Sequence, residues 1–215
     1  MPTVAIVDYG VGNLRSVERA LERAGAGVVI TPDPEVVASS DAVVLPGVGA
    51  FAPAAALLRG HGLGEAVREA AGLGRPVLGV CLGFQLLFEA SDEGEGGEGL
   101  GLLPGRVRRI GAAPPLKVPH MGWNRLRMHR RAALTAGIAE GTWCYFVHSY
   151  AADADPRDLV ASVDYGGEIV AICERGTVTG TQFHPEKSGP AGLRIYANLV
   201  AASAGAPRAA RPELR

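Results

Sequence analysis

Cys81 stands where an apolar run of β type, from Pro76 to Val80, stops abruptly. Gly83 comes next but one, and an apolar helical pattern then begins. This order predicts a thiol on a tight strand-to-helix turn, the device that exposes a nucleophilic serine in hydrolases. Gly79 and Gly83 flank the turn, where side chains would clash with a bent backbone and an incoming substrate. A helix N-terminus favours thiolate over thiol, and thiolate is the nucleophile. Taken alone, a cysteine in an apolar run is equally well explained as core.

Two other groups could complete a site. Thr181-Gln-Phe-His-Pro-Glu-Lys187 lies at the end of a predicted strand. Residues two apart on an extended chain face the same way, so His184 and Glu186 can point to one side, with Pro185 stiffening the backbone between them. A carboxylate beside an imidazole fixes its tautomer and steadies its protonated form. An imidazole so held can activate a thiol and later protonate a leaving group. Alone, His-Pro-Glu is compatible with a surface turn. The third group is Leu45-Pro-Gly-Val-Gly-Ala-Phe51. Attack on a carbonyl creates an oxyanion, and backbone N–H groups of Val48 or Gly49, with that of Leu82, could stabilise it. Loss of one such donor typically costs about 3–4 kcal/mol in the barrier.

These groups need a scaffold that brings distant residues to one edge. The pattern predicts strands over residues 4–8, 28–31, 42–45 and 77–80. Helices are predicted over residues 13–24, 53–58 and 64–72 and after Cys81. Apolar strands alternating with helices imply an α/β fold, an open and mostly parallel twisted sheet with helices on both faces. Ligands in such sheets bind beyond the carboxyl ends of the strands, where residues 10–13, residues 46–51 and Cys81 all fall. The second half adds shorter, antiparallel strands over residues 106–110, 143–148, 159–165, 169–174 and 178–183. Gly166-Gly167 suggests a hairpin, and residues 190–202 form a closing helix. The glycine-rich acidic stretch of residues 91–101 reads as a mostly solvated connection.

The chain has 215 residues and a formal net charge of −1, which gives no overall electrostatic case for nucleic acid or an anionic membrane. That length predicts a single domain over residues 1–203, followed by a flexible Ala-, Pro- and Arg-rich tail over 204–215. Residues 1–8 read as a strand rather than a signal peptide, and no apolar stretch is long enough to span a bilayer. Cys81, Cys144 and Cys173 are widely spaced and odd in number, which suits a reducing cytoplasm rather than a disulfide framework. Cys144 and Cys173 sit in apolar strand patterns and read as core. His61, His120 and His129 have no partner at ligand spacing, so neither a metal nor another cofactor is expected.

The Gly-x-Cys-x-Gly elbow with a downstream His-Pro-Glu, in this order with Pro46-Gly-Val-Gly, resembles the class I, triad-type glutamine amidotransferases over about residues 2–203. The resemblance implies Cys81, His184 and Glu186 as a triad that hydrolyses glutamine through a γ-glutamyl thioester. Asp8-Tyr-Gly-Val-Gly-Asn13, Pro46-Gly-Val-Gly-Ala-Phe51, Pro119-His-Met-Gly-Trp-Asn124 and His148-Ser-Tyr150 are similar to the glutaminase subunits of imidazole glycerol phosphate synthase, in histidine biosynthesis. That likeness implies a (β/α)8-barrel cyclase subunit as heterodimer partner. The cyclase receives the ammonia and makes imidazole glycerol phosphate and an aminoimidazole carboxamide ribotide (AICAR). By the same resemblance Gly49, Gln85, Ser149 and Tyr150 line the glutamine site and Glu93 holds the substrate ammonium. Asn13, Trp123, Asn124, Tyr145 and Lys187 then lie toward the partner. Trp123 is otherwise a half-buried surface aromatic, while Lys187 is one of only two lysines in an arginine-rich chain. Two alternatives stand beside this reading. One is the glutaminase of pyridoxal phosphate synthase, whose Gly-Gly-Glu-Ser segment is missing here. The other is a scaffold subunit with a relic site, against which the full triad speaks.

Overall fold

The computed structural model describes residues 1–111 and 115–205. Its first half follows the apolar pattern. Strand β1 (Thr3–Val7), helix α1 (Leu14–Arg23), β2 (Gly27–Thr31), α2 (Pro34–Ser39) and β3 (Ala42–Leu45) come in turn. They lead through α3 (Phe51–Gly60) and α4 (Leu63–Gly72) to β4 (Val77–Val80) and the short α5 (Leu82–Leu86). The second half is rich in strands: β5 (Phe88–Ser91), β6 (Gly97–Glu98), β7 (Leu103–Arg109), β8 (His120–Arg125), β9 (Arg127–Met128) and β10 (Trp143–His148). It continues with β11 (Tyr150–Ala154), β12 (Leu159–Asp164), β13 (Glu168–Arg175), β14 (Val178–Thr181) and the closing helix α6 (Gly189–Ser203).

The main sheet runs β2-β1-β3-β4-β14-β13-β12-β9. Its first five strands are parallel, and β13, β12 and β9 extend it antiparallel. The parallel part is a doubly wound order of the kind that leaves a binding crevice beyond the carboxyl ends of its strands. Alternation along the strands gives the sheet two apolar faces. Val4, Ile6, Val44 and Leu78 pack with Val17 and Leu21 of α1 and Ile195 and Leu199 of α6. Ala5, Val7, Val43 and Val77 pack with Val37, Leu58 and Val67 from α2, α3 and α4. The strands of a sheet covered on both sides must be apolar throughout, and Val4–Val7 and Ala42–Leu45 are fully buried. Beside this sheet stand a two-stranded ribbon, β10-β8, and a four-stranded sheet, β11-β7-β5-β6.

Several local outcomes differ from the sequence pattern, strands β8, β9 and β11 among them. Helix α2 was not expected; Asp33 caps it by accepting from the Glu35 N–H at 2.9 Å, and Pro34 opens it. The helix after Cys81 is only one turn long before the chain enters β5. Residues 91–101 are more than a solvated connection. Ser91 and Ala90 pair with Gly97 and Glu98, and Glu93 reaches back to Phe51. Strand β14 stops at Thr181 rather than 183, because its partner β4 ends at Val80 and the last ladder bond runs from the Cys81 N–H to the Thr181 carbonyl. The chain then leaves the sheet, and the His184 N–H bonds to the Tyr145 carbonyl instead. The expected tail lies outside the described residues from residue 206 onward.

Candidate active site

At the end of β4 the backbone is clamped from both sides. The Cys81 N–H is tied to Thr181 in the sheet, and its carbonyl accepts from the Gln85 N–H of α5 at 3.1 Å. Between these bonds Cys81 adopts φ 54° and ψ −109°, the only positive φ outside glycine among the described residues. Such a conformation is strained for a residue with a side chain. The elbow closes this tightly because Gly83 has no Cβ: one would lie 1.8 Å from the Leu45 carbonyl oxygen at the end of β3.

His184 follows β14, and a 3-10 turn over Pro185–Lys187 brings Glu186 back against it. The pair therefore meets through a turn and not through alternation along a strand. His184 Nδ1 donates to Glu186 Oε1 at 2.8 Å, and both side chains are almost completely buried. With Nδ1 taken, Nε2 is the nitrogen left for the sulfur; it has no partner of regular hydrogen-bond geometry among the described residues. Burial opposes the charge on His184, but the Cys81 sulfur and the Glu186 carboxylate outweigh it and raise the imidazole pKa to about 9. Behind the pair, burial and then the Glu186 carboxylate push the Tyr196 phenol well above its ordinary value.

Cys81, His184, Val48, Gly49, Leu82, Gln85, Glu93, Ser149 and Tyr150 all line one cavity of about 390 Å³, completed by Pro119, Val147 and His148. Val48 and Gly49 donate to no backbone carbonyl among the described residues. Leu82, first in α5, has an N–H that no helical turn can use. These N–H groups are free to donate. Their turn is held at both ends. The Tyr9 hydroxyl donates to the Pro46 carbonyl at 2.7 Å, and Glu93 Oε2 accepts from the Phe51 N–H at 2.8 Å. Glu93 is thus both a wall of the cavity and a brace for the turn beside it.

Sequence reasoning missed the bonded pair of His148, in the cavity wall, and His120. His148 Nδ1 donates to the Tyr150 carbonyl at 2.9 Å, so His148 Nε2 accepts from His120 Nδ1 at 3.0 Å. Asn124 Nδ2 lies 3.4 Å from His120 Nε2 and donates to the Asp164 carbonyl at 2.9 Å. Burial holds both histidines down at about 4, so they stay neutral and the direction of these bonds is set. Neither segment alone signals this contact, which arises from the pairing of the two strands that sets His148 opposite His120. No group of three or more His, Cys, Asp or Glu among the described residues could hold a metal. Cys144 and Cys173 are core residues whose thiols burial pushes up to about 12.

The residues expected toward a partner fall into two sets. On the outer face of the β8–β10 ribbon Trp123 is 53% exposed and meets Tyr145 edge-on at 5.9 Å, and Lys187 Nζ lies 5.8 Å from the Tyr145 ring. Asn13 sits at the start of α1. Asn124 differs: strand alternation turns it to the opposite face from Trp123, where its amide is spent on the internal bonds just described.

A thiol elbow facing an imidazole–carboxylate pair across a glycine-rich turn, on a sheet of this order, is the arrangement of a triad amidotransferase. The family model described as glutamine amidotransferase class-I matches residues 5–202. The imidazole glycerol phosphate synthase subunit HisH of Synechococcus sp. (strain JA-3-3Ab) is 50% identical over 200 residues, covering 92% of each chain. HisH of Moorella thermoacetica is also 50% identical over 200 residues, covering 93% of this chain and 94% of its own. A crystal structure of a glutamine amidotransferase superposes with a TM-score of 0.73 over 94% of this chain and 98% of that one; at 20% identity it bears on the fold alone. The chain belongs to the class I glutamine amidotransferases and, within them, to the HisH family.

Proposed function

We propose that the chain hydrolyses L-glutamine and passes the ammonia to a (β/α)8-barrel cyclase subunit, which makes imidazole glycerol phosphate and AICAR in histidine biosynthesis. The observation that carries this reading is that Cys81, His184 and the turn of Val48 and Gly49 line one cavity, with Glu186 on the far side of His184. In the proposed reaction the Cys81 sulfur attacks the carboxamide carbon of glutamine. The oxyanion is held by the N–H of Val48 or Gly49 and that of Leu82. His184 gives its Nε2 proton to the nitrogen as the C–N bond breaks, leaving ammonia and a γ-glutamyl thioester. Water returns a proton to His184 and attacks the thioester, the C–S bond breaks, and glutamate leaves. Glu186 holds the imidazole in place throughout. Gly49, Gln85, Ser149 and Tyr150 form the walls for the substrate. Glu93, a wall of the cavity whose Oε2 accepts from the Phe51 N–H, supplies the carboxylate for the substrate ammonium.

The partner face of this proposal is the outer ribbon with Trp123, Tyr145, Lys187 and Asn13. It is supported by exposed apolar side chains at Met121, Trp123 and Trp143, while Asn124 acts from within. A docked partner shields ammonia from protonation in water. The domain is proposed to span residues 1–203. Three free thiols support a cytoplasmic location, and no helix among the described residues is long and apolar enough to cross a membrane.

The deciding measurement is ammonia release from glutamine, with and without a histidine-pathway cyclase and its ligand. Weak turnover alone and strong stimulation by the cyclase are expected. Cys81→Ser abolishes glutamine-dependent turnover, while the complex still forms product from ammonium salt. Maximal turnover by the isolated chain, or glutamine-dependent turnover in Cys81→Ser, overturns the reading.

A further inference from the structure

We propose that Gln182 is a catalytic residue that donates an N–H to the Cys81 sulfur and stabilises its negative charge, its amide being locked in that sense by Gln85. The inference deepens the proposed function and rests on Cys81 being the nucleophile. Gln182 is fully buried between β14 and His184, and its Nε2 lies 3.8 Å from the Cys81 sulfur, within reach of a hydrogen bond to sulfur. The orientation of a buried amide is fixed by its neighbours, and here the chain of constraint starts at a backbone carbonyl. The Tyr150 carbonyl can only accept, so the Gln85 atom 2.8 Å away must be the Nε2 donor. The same Gln85 Nε2 lies 3.0 Å from Gln182, which must therefore present Oε1 to it. That leaves the Gln182 NH2 group, and not its oxygen, facing the sulfur.

This placement has a chemical use. The sulfur has an acceptor for its proton as a thiol, the Val147 carbonyl at 3.9 Å. As a thiolate it needs donors instead, and Gln182 supplies one from a site closed to water. Hydrogen bonds to an ionised partner are about twice as strong as neutral ones. Gln182 neither gains nor loses a proton; the Cys81 proton passes to His184 Nε2. When the thioester forms, the sulfur loses its charge and the contact weakens. When the C–S bond breaks, the charge returns and the contact strengthens again, so Gln182 assists the departure of the sulfur as well as its attack. Gln85, a wall of the substrate cavity, is by the same geometry the residue that orients Gln182.

The test is the pH dependence of Cys81 alkylation by iodoacetamide in the full chain, read peptide by peptide, in wild type, Gln182→Met and Gln182→Glu. Met keeps the length and removes the donor; Glu turns an oxygen toward the sulfur. We expect the midpoint of the rate profile to move up by about one pH unit in Gln182→Met, a roughly tenfold slower reaction near neutrality, and further in Gln182→Glu. Rates at high pH should converge with wild type, which a packing defect alone would not produce. A Gln182→Met profile that superposes on wild type overturns the inference. If neither variant folds by circular dichroism, the side-chain amide resonances of Gln182 in the wild-type protein decide. They should shift when Cys81 is alkylated, and unchanged resonances overturn the inference. Equal labelling of Cys144 and Cys173 in wild type would instead remove Cys81 as nucleophile, and with it the proposed function.

Discussion

Cys81 carries a side chain where the backbone is shaped for glycine, with φ at 54°. The strain is maintained by the bonds to Thr181 and Gln85, which leave the peptide no freedom to relax. A residue in such a region typically stores about 1–3 kcal/mol. Cys81→Gly releases that strain, whereas Cys81→Ala retains it; the glycine also adds freedom to the unfolded chain, which offsets part of the gain. The glycine variant is expected to be about 1 kcal/mol more stable than the alanine variant, a difference of about 2–4 °C in Tm for a domain of this size. Calorimetry on the two inactive proteins checks this, and an alanine variant equal or superior in Tm refutes stored strain. His184 shows the complementary principle: burial disfavours its charge, and two negative neighbours restore it.

The elbow depends on three elements approaching without side chains between them, and Gly83 is the point of closest approach. A methyl group there would sit 1.8 Å from the Leu45 carbonyl, so β3 and α5 would have to separate. Gly83→Ala should lower stability by at least about 3 kcal/mol, at the upper end of overpacking effects. Gly72→Ala, in open space at the end of α4, should be neutral or slightly stabilising. Urea titrations of the two variants check the contrast, and a Gly83→Ala midpoint like wild type would contradict the packing argument. The same elements show what a sequence reveals. Strands β1, β3 and β4 are apolar runs that stop at Asp8, Pro46 and Cys81, so they and the elbow were legible. His184 and Glu186 were legible as a pair, but not the 3-10 turn that joins them. Strand β8 (His-Met-Gly-Trp-Asn-Arg) was not legible as a strand, nor β5 and β6, because they carry polar residues and glycine instead of an apolar run and are made by long-range pairing rather than local periodicity. The His120–His148 bond and the inward turn of Asn124 follow from the register of β8 with β10, which no single segment encodes. Helix α2 left a signal, Asp33 before Pro34, but it has too few residues for a full apolar stripe.

Across the whole molecule, buried histidines of opposite character set the response to pH. His120 and His148 are neutral in the fold with pKa values near 4, whereas a free histidine titrates near 6.5. Their contribution is fully present above 6.5 and is lost as pH falls through 4, because the unfolded chain binds those protons first. His184 has its pKa raised to about 9, so its contribution is fully present below 6.5 and is lost as pH rises through 9. Thermal stability is therefore expected to peak near pH 6.5–7 and to fall on both sides. Melting curves from pH 4.5 to 9.5 measure this, and stability that keeps rising below pH 6 would contradict the neutral histidine pair. The tension at Cys81 also bears on how such a subunit ages over generations. Mutation to glycine abolishes chemistry yet relieves the backbone at this position, so quality control that discards misfolded chains would let silent copies pass. Only selection on turnover itself guards this sulfur, and a lineage released from that demand would drift downhill toward a well-folded, inert descendant.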